Sequence, residues 1–363
     1  FFFIKFNSKV IIINDFNIRG ISDFIFVPDT DLSEIEVYPG FEFENITKDI
    51  FGNSRESNNR VGAMAASNGE NPDILDKSKY GTTYYSNETV KKEAKVSAVK
   101  PKKGALTKAL AKAEDGDILN LSPGSYIITS SLVIDKKITF RSAEGQVRPV
   151  LKFQGKEDEA LFEMHPKGDL ILDGVSLQGT GTQMAFASLK DNMSSLYTIH
   201  ANDVEIEGYK YILKAYKESF SDKISFVSTR FKDCAYGIEL AEETNDKGDY
   251  NVENLLIDGC SFDQIKGGPI DYYRGGYDES TIGGNLSVTN SSFTNSGDEA
   301  KAGILINSYG IVNVDISNNT FENNPVKMVA LLWGAKNNSH SGNTLVNSGE
   351  IKVEENLKLR LLY

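Results

Sequence analysis

The sequence predicts a right-handed parallel β-helix, and three observations carry that prediction. In five places an apolar strand residue is followed seven positions later by a large apolar one, with a polar turn between: Leu170 to Leu177, Ile224 to Phe231, Leu255 to Phe262, Leu286 to Phe293 and Val314 to Phe321. Phe262, Phe293 and Phe321 lie 31 and then 28 residues apart. That is too short for a domain and right for a unit that buries its face only by stacking on copies of itself. Within each unit the apolar residues alternate, as in Leu255 and Ile257, Leu286 and Val288, or Val314 and Ile316. The period of two makes each element a strand with one buried face.

The elements follow in order. Phe1 to Ile13 has no initiator Met, carries lysines inside its apolar run and lacks a small-residue cleavage site. It reads neither as a signal peptide nor as a membrane span, and suggests a fragment whose true N-terminus lies upstream. Residues 1–66 read as the C-terminal remnant of a first β-helix domain, with Phe16 to Val27 as a last pair of strands and Asp49 to Ala63 as a closing segment. Residues 67–103, rich in Ser, Asn, Lys, Glu and Thr, have linker chemistry. A second domain is expected over 104–363. In its opening run Leu106, Ala109, Leu110 and Ala113 fall on one face of a short helix that ends at Asp115-Gly116. Laid across the end of an open stack, that helix would cover an apolar end and unpaired strand edges. Asp117 to Ser125, Leu132 to Phe140 and Pro149 to Phe153 supply the first strands, and a weaker unit, Val204 to Tyr211, fills the gap before Phe231.

At each bend Asp258-Gly259, Thr289-Asn290 and Asn318-Asn319 supply residues that tolerate a left-handed backbone. Asn290, Asn318, Asn319 and Asp258 are therefore read as a structural ladder along the stack rather than as ligands. Cys234 and Cys260 sit at unlike positions relative to their rung phenylalanines, which predicts two buried thiols and no disulfide. The net charge of −12 argues against a nucleic-acid partner, which needs a concentrated basic surface.

Four runs resemble a known family: Gly104 to Leu177, Ile270 to Ser280, Leu332 to Asn343 and Ile351 to Tyr363. They are similar to the C-terminal β-helix domain of two-domain alginate lyases of polysaccharide lyase family six, relatives of chondroitinase B. Asp49 to Ala63, with FGNSR, resembles the closing segment of that family's N-terminal domain. The resemblance implies a bacterial, periplasmic or secreted enzyme that cleaves alginate, an acidic polysaccharide, by β-elimination, and leaves a homodimer open. It places a catalytic lysine and arginine, and a calcium ion held by Asn and Glu, in an N-terminal domain mostly missing from this chain. No catalytic residue and no metal ligand of this chain is assigned from it.

Ile270 to Glu279 is the densest polar and aromatic cluster. Arg274 could grip a carboxylate and Tyr272, Tyr273 and Tyr277 a sugar ring, which makes these four the candidate substrate-binding residues. The competing reading pairs Arg274 with its own Asp and Glu neighbours and lays the tyrosines over the rung edge. His165, His200 and His340 are the only histidines, and no spacing brings two together. Trp333, the only tryptophan, follows the apolar run Val329 to Leu332 and is read as core. No loop has the D-x-D-x-D spacing of a dedicated calcium site. Two functions stand: the supporting portion of an alginate lyase, or a non-catalytic carbohydrate-binding or surface module. A third, an active pectate-lyase-like enzyme in residues 104–363 alone, is the least favoured.

Overall fold

The computed structural model describes residues 2–6, 9–13, 18–22, 25–28, 47–49, 52–55, 93–145, 147–242, 247–276 and 283–354. The chain divides into two compact units, Phe1–Glu93 and Ala94–Tyr363.

In the first unit the described strands form two antiparallel pairs. Phe2–Phe6 pairs with Lys9–Ile13, and Ile18–Ser22 with Ile25–Pro28. Only two residues separate the members of each pair, which suits a hairpin and is far too few for a parallel crossover. Lys48 bridges Ser54 of the FGNSR run antiparallel. The Asp49 carboxylate closes this turn, accepting from the Asn53 amide at 2.8 Å and its side-chain nitrogen at 3.0 Å.

The second unit is a parallel β-solenoid with three faces. The first sheet runs from Val96–Val99 through Asp117–Leu121 to Asn337–Ser339 in ten strands, and the second from Ser125–Ile128 to Thr344–Val346 in nine. The third runs from Leu132–Ile134 to Glu350–Glu354, and Lys247–Tyr250 joins it antiparallel to Ile270–Gly276. The first strand, Val96–Val99, precedes the helix Ala105–Lys112 and pairs in parallel with Asp117–Leu121. Leu106 and Leu110 of that helix are buried and join the core, as a cap requires. Asp117 fastens the entry: its carboxylate accepts from the Lys95 amide at 3.2 Å and the Glu114 amide at 2.9 Å.

The predicted phenylalanine column is continuous. Phe231, Phe262, Phe293 and Phe321 stack at centroid distances of 4.4, 4.7 and 5.0 Å, all of them buried. The unit proposed at Val204 to Tyr211 is out of register. Ile199 stands with Leu170 and Ile224, and Ile206 with Leu177 and Phe231, so the rung is Ile199 to Ile206. Val204 lies buried at a bend and Tyr211 opens the third-sheet strand Tyr211–Lys214. A seven-residue apolar spacing there arises from two different faces of the solenoid.

Each rung turns twice through the left-handed region. The first bend carries Ser228, Gly259, Asn290 and Asn318 at φ of 49°, 61°, 53° and 61°. A second, not singled out from the sequence, carries Asp233, Gln264, Asn295, Asn323 and Asn347 at 51°, 57°, 50°, 54° and 45°. Short polar side chains and glycine reach this region at least cost. Behind each bend a buried ladder satisfies the inward backbone. Asn319 accepts from the Ser291 amide at 2.9 Å and donates to the Val288 carbonyl at 2.8 Å; Asn324 does the same for Ser296 and Phe293, at 2.9 and 2.9 Å. Asp258 accepts from Thr289 Oγ1 at 2.7 Å and Asn290 Nδ2 at 2.8 Å. Asp258, Asn290 and Asn319 thus serve the hydrogen bonding of the stack itself. Cys260 belongs to the first bend's ladder and Cys234 follows the second bend; both thiols are free, and burial pushes them up to about 11 and about 12.

Candidate functional site

The strand Ile270–Gly276 alternates its side chains across the sheet, and this separates the four predicted site residues. Tyr272 points inward, fully buried, and its hydroxyl donates to the Val252 carbonyl at 2.7 Å. Burial pushes its phenol far up, and the ring cannot meet a ligand. Arg274 is also inward, 8% exposed. It forms an ion pair with Glu253, and its guanidinium lies 3.5 Å from the centroid of the Tyr250 ring. Tyr250 in turn meets Phe220 edge-on at 4.8 Å. Gly283 and Gly284 pass beside this clamp. A Cβ at Gly283 would stand 2.9 Å from Arg274 Nη2, and one at Gly284, where φ is +73°, would stand 2.9 Å from the Tyr272 hydroxyl. Tyr272 and Arg274 are thus structural: the first fills the core, and the second fastens Lys247–Tyr250 to the sheet. Tyr277 lies outside the described residues.

Tyr273 alone of the four faces outward within the described structure. It stacks on Tyr309 at 4.7 Å and 6°, and Tyr309 meets Trp333 at 4.9 Å and 72°. The three are in register on adjacent strands. Trp333 is therefore not core. Val329 to Leu332 are buried, but the strand ends with Trp333 on the outer face, half-buried against Tyr309.

Other rings share this outer face. Tyr211 and Tyr236 stack at 4.8 Å and 22°. Tyr211 and Tyr216 cover a small apolar patch of Ala160, Met184 and Ala187, and Lys190 lies 5.2 Å from the Tyr216 ring centroid. Lys214 is largely buried between Glu239 at 3.3 Å and Glu242 at 2.6 Å. Burial works against its charge, but the hydrogen bond to Glu242 and the charge of Glu239 outweigh it and hold its pKa above the usual lysine value. Burial likewise raises Tyr211, with Glu239 adding to the effect, so its ring is that of a neutral phenol.

The histidines remain apart. His165 pairs with Glu163 at 2.7 Å beside the third sheet, and His200 meets Ser225 Oγ at 2.7 Å on the first. His340 is exposed beyond the last first-sheet strand. Among the described residues, no three His, Cys, Asp or Glu side chains come together in metal-binding geometry, and no helix is long and apolar enough to cross a membrane. The third-sheet face carries this row of mutually packed rings, the exposed lysines Lys190 and Lys352, and Lys214, already neutralised by two carboxylates. Lys214 is committed to its glutamates.

No family model and no curated protein matches the chain. Two solved structures of the PL6 family alginate lyase AlyGC resemble it. One, of an arginine-to-alanine mutant, superposes with a TM-score of 0.64 at 23% identity and covers 95% of this chain and 45% of that one. The other, of AlyGC itself, gives 0.55 at 22% identity, covering 93% and 47%. The chain spans less than half the length of either structure. It shares their β-helix architecture.

Proposed function

We propose that this chain is the supporting portion of a polysaccharide lyase that cleaves alginate by β-elimination, and that its third-sheet face holds the acidic polysaccharide. One observation carries the reading: an outward aromatic row, Tyr273, Tyr309 and Trp333, on a β-helix similar to that of PL6 alginate lyases. Pyranose rings present apolar C–H faces that pack on aromatic faces, and hydroxyls that remain in water at the edges. Lys190, exposed beside Tyr216, gives a uronate carboxylate a counter-charge.

β-Elimination needs a charge to neutralise the carboxylate, a base for the proton at C5 and an acid for the leaving oxygen. We assign none of these to this chain. The resemblance implies a lysine, an arginine and calcium for these roles, and a periplasmic or secreted location follows from the size of the substrate. Alginate gel electrophoresis tests the binding: the chain is retarded, and Tyr309→Ala and Trp333→Ala are not. An unretarded wild type in alginate, pectin and chondroitin gels leaves only a structural role. By itself the chain is expected to release no unsaturated product from alginate with calcium added; turnover would overturn its supporting role. The pairing of Lys214 with Glu239 and Glu242 favours a second reading, a purely non-catalytic binding module, which an inactive full-length parent would establish.

A further inference from the structure

The outer face of the first sheet carries a second concave surface, on a different side of the solenoid from the aromatic row. Asn254, Asn285, Asn313 and Asn337 stand in register on successive strands. Each later Nδ2 donates to the Oδ1 before it, at 2.8, 2.9 and 2.8 Å, and Asn254 Nδ2 donates to the Asp222 carbonyl at 2.9 Å. A carboxamide has two N–H donors and two lone pairs. Each inner rung therefore keeps one donor and one acceptor beyond the ladder, repeating at a strand spacing of about 4.8 Å.

Two positions along each strand stands a parallel column of Leu256, Ser287, Asp315 and Ser339. The two columns line a groove of about 800 Å³ with Lys223 at one end. That volume is within the usual range for ligand sites. At its centre Asp315 Oδ1 is shut from water and has no hydrogen-bond donor among the described residues. An acceptor so placed carries an unmet desolvation cost, and the χ2 torsion of aspartate is soft enough to turn its carboxylate toward an incoming hydroxyl. The groove holds one cation and one anion, Lys223 and Asp315, so it offers a polyanion no net attraction.

We infer that this groove is a second glycan-binding site, taking a linear, uncharged hexose chain along the solenoid axis through its hydroxyls. The Asn column supplies a donor and acceptor pair at each rung, Leu256 an apolar floor and Asp315 the acceptor that selects a hydroxyl. With the acidic polymer on the third sheet, the unit would hold two kinds of polysaccharide at once, but the groove's binding does not depend on that reading.

Saturation-transfer NMR on the full chain tests it with β-1,4-mannohexaose, and with the β-1,4-mannuronate hexamer, which differs only in its C6 carboxylates. Transfer to mannohexaose is expected with wild type and with Trp333→Ala, and its affinity falls about tenfold in Asp315→Ala and Asn313→Ala, the loss of one good hydrogen bond. Ser287→Tyr, which fills the groove from an outward position, abolishes it and serves as the check should Asp315→Ala fail to fold. Absence of transfer to wild type overturns the inference. So does transfer that survives Asp315→Ala and Ser287→Tyr, or that disappears in Trp333→Ala.

Discussion

Replacing Arg274 by alanine separates a residue that grips substrate from one that holds the fold. The side chain of Arg274 is 10% exposed and that of its partner Glu253 33%. Breaking a fully buried pair costs about 3–5 kcal/mol, because one charge is left behind; the exposure of Glu253 brings this toward the surface range, to about 1–2 kcal/mol. The guanidinium over Tyr250 adds about 1 kcal/mol of cation–π attraction. Arg274→Ala should therefore lose ~2–3 kcal/mol in urea denaturation followed by circular dichroism. Hydrogen exchange should speed up first in Lys247–Tyr250, the strand that Arg274 fastens. Arg274→Lys keeps the charge but not the planar contact with Tyr250, and should recover only part of the loss. Retardation in alginate gels should change little once both proteins are folded. A stability change below ~0.5 kcal/mol together with lost retardation would refute the reasoning and return Arg274 to the ligand.

Asn319→Leu leaves the Ser291 amide and the Val288 carbonyl buried without their partner, and should cost about 2–5 kcal/mol in thermal or urea unfolding. Asn318→Gly, at a left-handed and exposed position, should stay within about 0.5 kcal/mol. His200 is held below the ordinary histidine pKa, chiefly by burial; Lys223 and Lys137 push the same way, Asp169 opposes them, and Ser225 is its hydrogen-bond partner. The unfolded chain then binds the proton more readily, so the stabilisation is present above about pH 6.5 and lost as pH falls. Melting temperatures followed from about pH 7.5 to about pH 5 should drop more for wild type than for His200→Gln, and parallel curves would refute this.

The solenoid was legible in the sequence because its determinants are local. Alternation within Leu255–Ile257 or Leu286–Val288 selects a strand and its buried face, and residues that accept positive φ mark the first bend. Repetition does the rest, since a rung with one apolar face is stable only against another. Where the rung phenylalanine gives way to Ile206, the same seven-residue rule fits two registers, and strand pairing selects Ile199 to Ile206 over Val204 to Tyr211.

The surface was less legible. Tyr272, Tyr273 and Arg274 are adjacent in sequence, yet two face the core and one faces out, and strand phase alone sets that difference. Tyr273, Tyr309 and Trp333 lie at unequal spacings because the loops that return the chain to each rung differ in length. The sequence by itself determined a stack of rungs with a phenylalanine column inside and polar bends at its corners. Only the tertiary structure decided which outward side chains meet, bringing an aromatic row onto one face and an asparagine comb onto another. Hydrogen bonding between rungs aligns strands by register in space, and that register discards the number of residues between them.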